Sequence, residues 1–136
     1  NLGHTFGHAF EALTGYSNTL LHGEAVALGM VLAFDLSVAR GHCAPEDAAR
    51  LKALLEAAAL PVTMTRIGNG NFAADALVGA MAQDKKVKSG KMRFVLVEGL
   101  GKSFLTDTVS PADLRAFLIA QGALETTEVS REGQRQ

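Results

Sequence analysis

The chain has no tryptophan, one tyrosine, three prolines and a single cysteine, Cys43. One cysteine excludes an internal disulfide and fits a reducing compartment, so a cytoplasmic location is expected. An excess of charge of one sign is also missing: 13 Lys and Arg stand against 14 Asp and Glu, for a net charge of -1. Without a basic stripe or aromatic platforms, nucleic acid is not an expected partner. Nor is there a long hydrophobic run. The longest uncharged apolar stretch, residues 25–34, covers about half of a bilayer span, so no membrane partner is expected. No signal-peptide layout precedes it. The first residue is Asn in mid-motif, not Met, which leads us to expect the C-terminal part of something larger. What is there, 136 residues at 48% hydrophobic and 20% charged, suffices for one domain with a real core and not for two.

Histidine is where the chain is rich. Three of its four histidines, His4, His8 and His22, fall within nineteen positions, and Gly3, Gly7 and Gly23 flank them. Imidazole is the commonest side-chain ligand of transition metals and the one group that exchanges protons near neutral pH. Glycine beside it lets backbone or ligand approach closely.

The periodicity predicts a mainly helical domain with one hairpin. Leu2, Phe6, Ala9, Phe10 and Leu13 recur at helical spacing over residues 1–14, with Gly15 closing the segment. His4 and His8, at i and i+4, share a face of that helix. His22 opens a second helix to about Arg40, apolar nearly all round and therefore central, and ended by Gly41. Pro45-Glu46-Asp47 starts a third, through about Ala59. Residues 66–71 read as a loop, 72–83 as an amphipathic helix and 84–90 as a charged connector. Residues 92–97 and 104–109 read as strands about a loop with two glycines. Ser110 to Asp113 is a capping box with proline at the first helical position, opening a helix to about Gln121. The expected domain is 1–121, followed by a polar, disordered tail over 122–136.

Each candidate residue has a plain reading beside the chemical one. His4 and His22 are either metal ligands, each needing its second nitrogen held by a neighbour, or structural histidines; no short zinc signature decides it. His8 is a third ligand, a proton-transfer group or a core histidine. Glu24, in a first helical turn, is a catalytic carboxylate or a cap-region acid. Glu11 reads as part of a solvated face, with orientation of His8 as the alternative. Lys85 and Lys86 are a solvated connector, or ammonium groups suited to a phosphate or carboxylate. Gly99 and Gly101 make a turn, and His42 and Cys43 read as structural.

Four blocks together carry a resemblance: Asn1-Leu2-Gly3-His4-Thr5-Phe6-Gly7-His8-Ala9-Phe10-Glu11, Leu21-His22-Gly23-Glu24-Ala25-Val26-Ala27-Leu28-Gly29-Met30, Asp84-Lys85-Lys86-Val87, and Met92-Arg93-Phe94-Val95-Leu96 with Gly99-Leu100-Gly101. In order and spacing they closely resemble the 3-dehydroquinate synthase family, over residues 1 to about 121. The resemblance implies the helical C-terminal domain of that fold, related to iron-containing alcohol dehydrogenases, with an NAD-binding α/β domain elsewhere and the active site between them. It implies conversion of 3-deoxy-D-arabino-heptulosonate 7-phosphate to 3-dehydroquinate and phosphate, in the shikimate pathway to aromatic amino acids. NAD and a divalent metal, zinc or cobalt, are the implied cofactors, and the implied parent is a homodimer. His4 and His22 match the family's histidine ligands, whose third partner is an upstream glutamate. Asn1, His8 and Lys86 match substrate-holding residues, with Lys85 the neighbour; His8 and Lys86 are the implied catalytic groups. The 136 residues contain no dinucleotide-binding fingerprint, so inactivity in isolation is expected. The alternatives are a related cyclase acting on sedoheptulose 7-phosphate or glucose 6-phosphate, the C-terminal domain of a metal-dependent alcohol dehydrogenase, and a non-catalytic helical interaction domain.

Overall fold

A computed structural model describes residues 2–14, 22–66, 71–84, 92–99 and 101–125. In chain order it contains α1 (His4–Leu13), α2 (His22–Ala39), α3 (Pro45–Ala57), a short 3-10 turn (Met64–Arg66), α4 (Ala74–Asp84), β1 (Phe94–Gly99), β2 (Lys102–Thr106) and α5 (Pro111–Ala120).

Helix α2 is the axis of the molecule. Ala25, Ala27, Leu28, Val31, Leu32, Ala33, Phe34, Leu36 and Ser37 are all buried, and these positions go right round the helix. It is therefore covered on several sides, by α1, α3 and β1. By length and composition α2 is apolar enough to cross a membrane, but 56% of that stretch is already buried inside the protein, as in a core helix. Phe6 of α1 connects the layers: its ring lies 5.7 Å from that of Phe94 in β1 and 6.3 Å from Phe117 in α5. Phe10 meets Phe72 edge to face at 5.1 Å, so α1 also fastens the start of α4.

The helix ends follow their residue types. Ser110 Oγ accepts the N–H of Asp113 at 3.0 Å, and Val109 and Leu114, at N′ and N4, share one core cluster as a hydrophobic staple. Helices α2, α3 and α5 close in the same way, with paired bonds back to the last turn: His42 to Ser37 and Gly41 to Val38, Leu60 to Leu55 and Ala59 to Glu56, Ala123 to Leu118 and Gly122 to Ile119. The residue at the reversal must be left-handed. It is Gly41 and Gly122 in two of them; in α3 it is Ala59, at φ 64°.

Two boundaries differ from expectation. The strands sit closer to the turn than the apolar pattern implied, because Gly99 pairs directly with Lys102 and Val109 is drawn into the core as the staple of α5. A bulge between Val97 and Gly99 disturbs the ladder, and there Ser37 of α2 intervenes. Its hydroxyl donates to the Ala33 carbonyl at 2.7 Å and accepts the Val97 N–H at 2.9 Å. The expected break at residue 121 is also displaced: Ala123 is buried, and Leu124 bonds Phe72 and Ala74 at 2.8 Å each. Two apolar residues and a backbone partner for α4 keep 122–125 on the domain. Residues 126–136 lie outside the described ones.

Candidate active site

The site is built on the seam between α1 and α2. A Cβ on Gly3 would lie 2.7 Å from the Met30 nitrogen and one on Gly7 3.1 Å from the Ala25 oxygen; one on Gly29 would overlap the carbonyl oxygen of Gly3. The two backbones thus touch with no side chain between them. Gly3 meets residues 29 and 30, Gly7 meets Ala25, and Glu11 meets His22, so the helices run antiparallel. Gly3 itself has φ 86° and precedes the first turn, where its carbonyl accepts the Gly7 N–H at 2.8 Å.

This seam leaves one polar edge on α1. His4, His8 and Glu11 stand at i, i+4 and i+7, on one face, while Phe6, Ala9 and Phe10 go to the core. The rings of His4 and His8 stack at 5.4 Å and 12°, both half-buried. His22, the first residue of α2, places Nδ1 2.8 Å from Oε2 of Glu11. Glu11 is only 13% exposed and its partner 66%. Glu11 is therefore not on a solvated face, and the imidazole it bonds through this contact is that of His22. The signal was available in the i, i+4, i+7 spacing; the partner, eleven residues on, was not.

The structure thus brings His4 to His8 and His22 to Glu11 along one stripe. Glu11 lies about 10 Å along the helix axis from His4 by helical rise, so sharing one ion requires the two side chains to converge from those ends. Among the described residues, no group of three or more His, Cys, Asp or Glu side chains is arranged to hold a metal. Glu24 stands half-buried in the first turn of α2. Asn1, Lys85 and Lys86 lie outside the described residues. His42 and Cys43 are packing residues: His42 meets the edge of Phe104 at 4.9 Å, and Cys43 is buried. Burial, and secondarily Asp47, pushes the Cys43 thiol pKa up. A surface cavity of about 390 Å³ beside the hairpin, lined by Arg93, Leu105, Thr106, Asp107 and Thr108, contains none of the candidate residues.

Comparison with known proteins gives this stripe a context. Residues 1–87 match the family described as 3-dehydroquinate synthase C-terminal, a span containing the whole stripe. The 3-dehydroquinate synthase of Paracoccus denitrificans is 52% identical over 118 residues, 87% of this chain and 32% of that protein. That of Rhodospirillum rubrum is 54% identical over 121 residues, 88% of this chain and 31% of that protein. The chain therefore spans about a third of the length of the curated relatives it matches. Among solved structures, 2-epi-5-epi-valiolone synthase from Streptomyces hygroscopicus, with NAD+ and Zn2+ bound, superposes with a TM-score of 0.72 at 26% identity, over 88% of this chain and 31% of the other. A 2-deoxy-scyllo-inosose synthase, complexed with carbaglucose-6-phosphate, NAD+ and Co2+, shares the fold at TM-score 0.69 and 22% identity, over 88% of this chain and 32% of that one. With its mainly helical architecture, its hairpin and its histidine-lined seam, the chain belongs to the 3-dehydroquinate synthase family, as that family's C-terminal domain.

Proposed function

We propose that this chain forms the metal- and substrate-binding part of an enzyme that converts 3-deoxy-D-arabino-heptulosonate 7-phosphate to 3-dehydroquinate and phosphate, in the cytoplasmic shikimate pathway, and that the parent is a homodimer. One observation carries the reading: the stripe of His4, His8 and Glu11, with His22 docked on it, lies inside the segment matched to the family. The bound NAD+ with Zn2+ or Co2+ in the solved relatives supports NAD and a divalent metal as cofactors.

The donor chemistry fits such an ion. Nitrogen donors come from two helices locked backbone to backbone, and one of them already has its Nδ1 on a carboxylate. His4 and His22 are the proposed ligands from this chain. When bound, the metal polarises substrate hydroxyls and NAD accepts and returns a hydride. His8, half-buried against His4, holds the phosphate end of the substrate and exchanges a proton there. Asn1 orients anionic groups through its neutral amide, and Lys85 and Lys86 neutralise them, Lys86 foremost.

The test is steady-state kinetics on the full-length parent with NAD and Co2+ supplied. Lys86→Ala is expected to lower kcat/KM about ten- to a hundred-fold, as loss of one charge-assisted contact does, with Lys85→Ala much milder. The 136 residues alone are expected to give no turnover. Silence of both lysine variants would reject the substrate assignment. Turnover of sedoheptulose 7-phosphate in place of the heptulosonate would move the chain to the related cyclases.

A further inference from the structure

Two features of the His22–Glu11 pair set it apart from an ordinary surface ion pair. First, its burial is lopsided: the carboxylate is 13% exposed and the imidazole 66%, so the acid is the inner partner and the ring the outer one. Second, the backbone beside the ring is open. At Gly23 a Cβ would have nothing within 4 Å, whereas at Gly3, Gly7 and Gly29 it would strike backbone. The two backbones are thus in contact along the seam and leave open space beside His22.

The hydrogen bond also fixes the chemistry of the ring. An ionised carboxylate accepts and cannot donate, so the proton between Oε2 and Nδ1 belongs to Nδ1. A neutral imidazole carrying its proton on Nδ1 has its lone pair on Nε2. We infer that Glu11 is a positioning residue for His22: it holds the imidazole from below by Nδ1 and presents Nε2 to the metal. This rests on the reading of His22 as a ligand. A carboxylate in this place restrains ring rotation and raises ligand basicity, and losing one typically costs 10–100-fold in metal affinity.

The test is the Co2+ dissociation constant of the full-length parent, measured by chelator competition, for wild type, Glu11→Ala, Glu11→Gln and His22→Ala. The tautomer of His22 in the metal-free protein is read in parallel by nitrogen NMR with labelled histidine. We expect His22→Ala to lose Co2+ almost entirely and Glu11→Ala to bind about 10–100-fold more weakly. Glu11→Gln is expected to fall between Glu11→Ala and wild type, because its amide oxygen still accepts from Nδ1 in the same shape. The NMR signals should show the Nδ1–H form in wild type and a mixture in Glu11→Ala. Unchanged affinity in Glu11→Ala, with binding lost in His22→Ala, would overturn the positioning role and leave the ligand reading standing. Unchanged affinity in His22→Ala would overturn both. If Glu11→Ala did not fold, the comparison of Glu11→Gln with wild type decides: equal affinity and an unaltered tautomer mixture, with no Nδ1–H preference in either, refute the inference.

Discussion

Replacing Gly29 with alanine adds one methyl group to the middle of α2, and two effects of opposite sign compete. Helix propensity favours the change by about 1 kcal/mol, since glycine is the poorest ordinary residue in a helix interior. Against it, the new carbon would overlap the Gly3 carbonyl oxygen and come within 3.0 Å of the Gly3 carbon and the Gly7 nitrogen. All three are backbone atoms and none can swing away as a side chain does. Reaching ordinary contact requires α1 and α2 to separate by roughly 1 Å. That movement strains the bond from Gly7 to Gly3 and loosens Phe6 and Phe10 from Leu28 and Leu32. Overpacking of this kind costs about 1–3 kcal/mol, and a weakened hydrogen bond adds about 1. Strain wins, with a net loss of about 1–3 kcal/mol. Gly79 is the control: it is exposed in the middle of α4, where a Cβ would meet nothing within 4 Å, so Gly79→Ala should gain about 0.5–1 kcal/mol. Urea unfolding followed by circular dichroism measures both. If the two substitutions shifted stability in the same direction, the close seam would be wrong.

Three further outcomes are expected. Ser37→Ala leaves the buried Val97 N–H without its partner, for a loss of about 1–3 kcal/mol by the same urea assay; a change below about 0.5 would mean that the hairpin is held otherwise. Ala59→Gly relieves a left-handed alanine at about 1 kcal/mol or more while freeing the unfolded chain, for a net gain of about 0.5–1 kcal/mol in thermal or urea melts. Cys43, with its pKa raised by burial and then by Asp47, stays a protonated thiol at neutral pH. A raised folded pKa means a contribution to stability that is complete below the ordinary thiol pKa and is lost as pH rises through the folded value. Iodoacetamide should label the folded chain far more slowly than the urea-unfolded one at pH 8; equal rates would contradict this.

Much of the fold was legible because it is written in local chemistry. Ser110 and Pro111 announce the start of α5 and Gly41 the end of α2; each needs only neighbours within a few positions. The all-round apolar character of α2 gave its central place. What escaped depended on partners distant in sequence. Nothing near Ser37 indicates that its hydroxyl caps Val97, sixty residues on, and nothing in a polar tail indicates that Leu124 returns to α4. The histidines were legible as a group, and the family resemblance was readable in four short blocks. Glu11 was misjudged because burial is a property of the packed seam: a lone carboxylate on a helix face reads as solvated, until α2 brings His22 onto it.

The glycine seam has a mechanical consequence. Interfaces made of side chains yield by small rotamer hops, so elements packed through them can breathe independently. Backbone against backbone offers no such compliance: α1 and α2 can part only by sliding as whole rods, against the core that Phe6 and Phe10 anchor. The first two helices therefore behave as a single stiff bar. His4, His8, Glu11 and His22 are all mounted on it, so their spacing along the stripe is set by the seam.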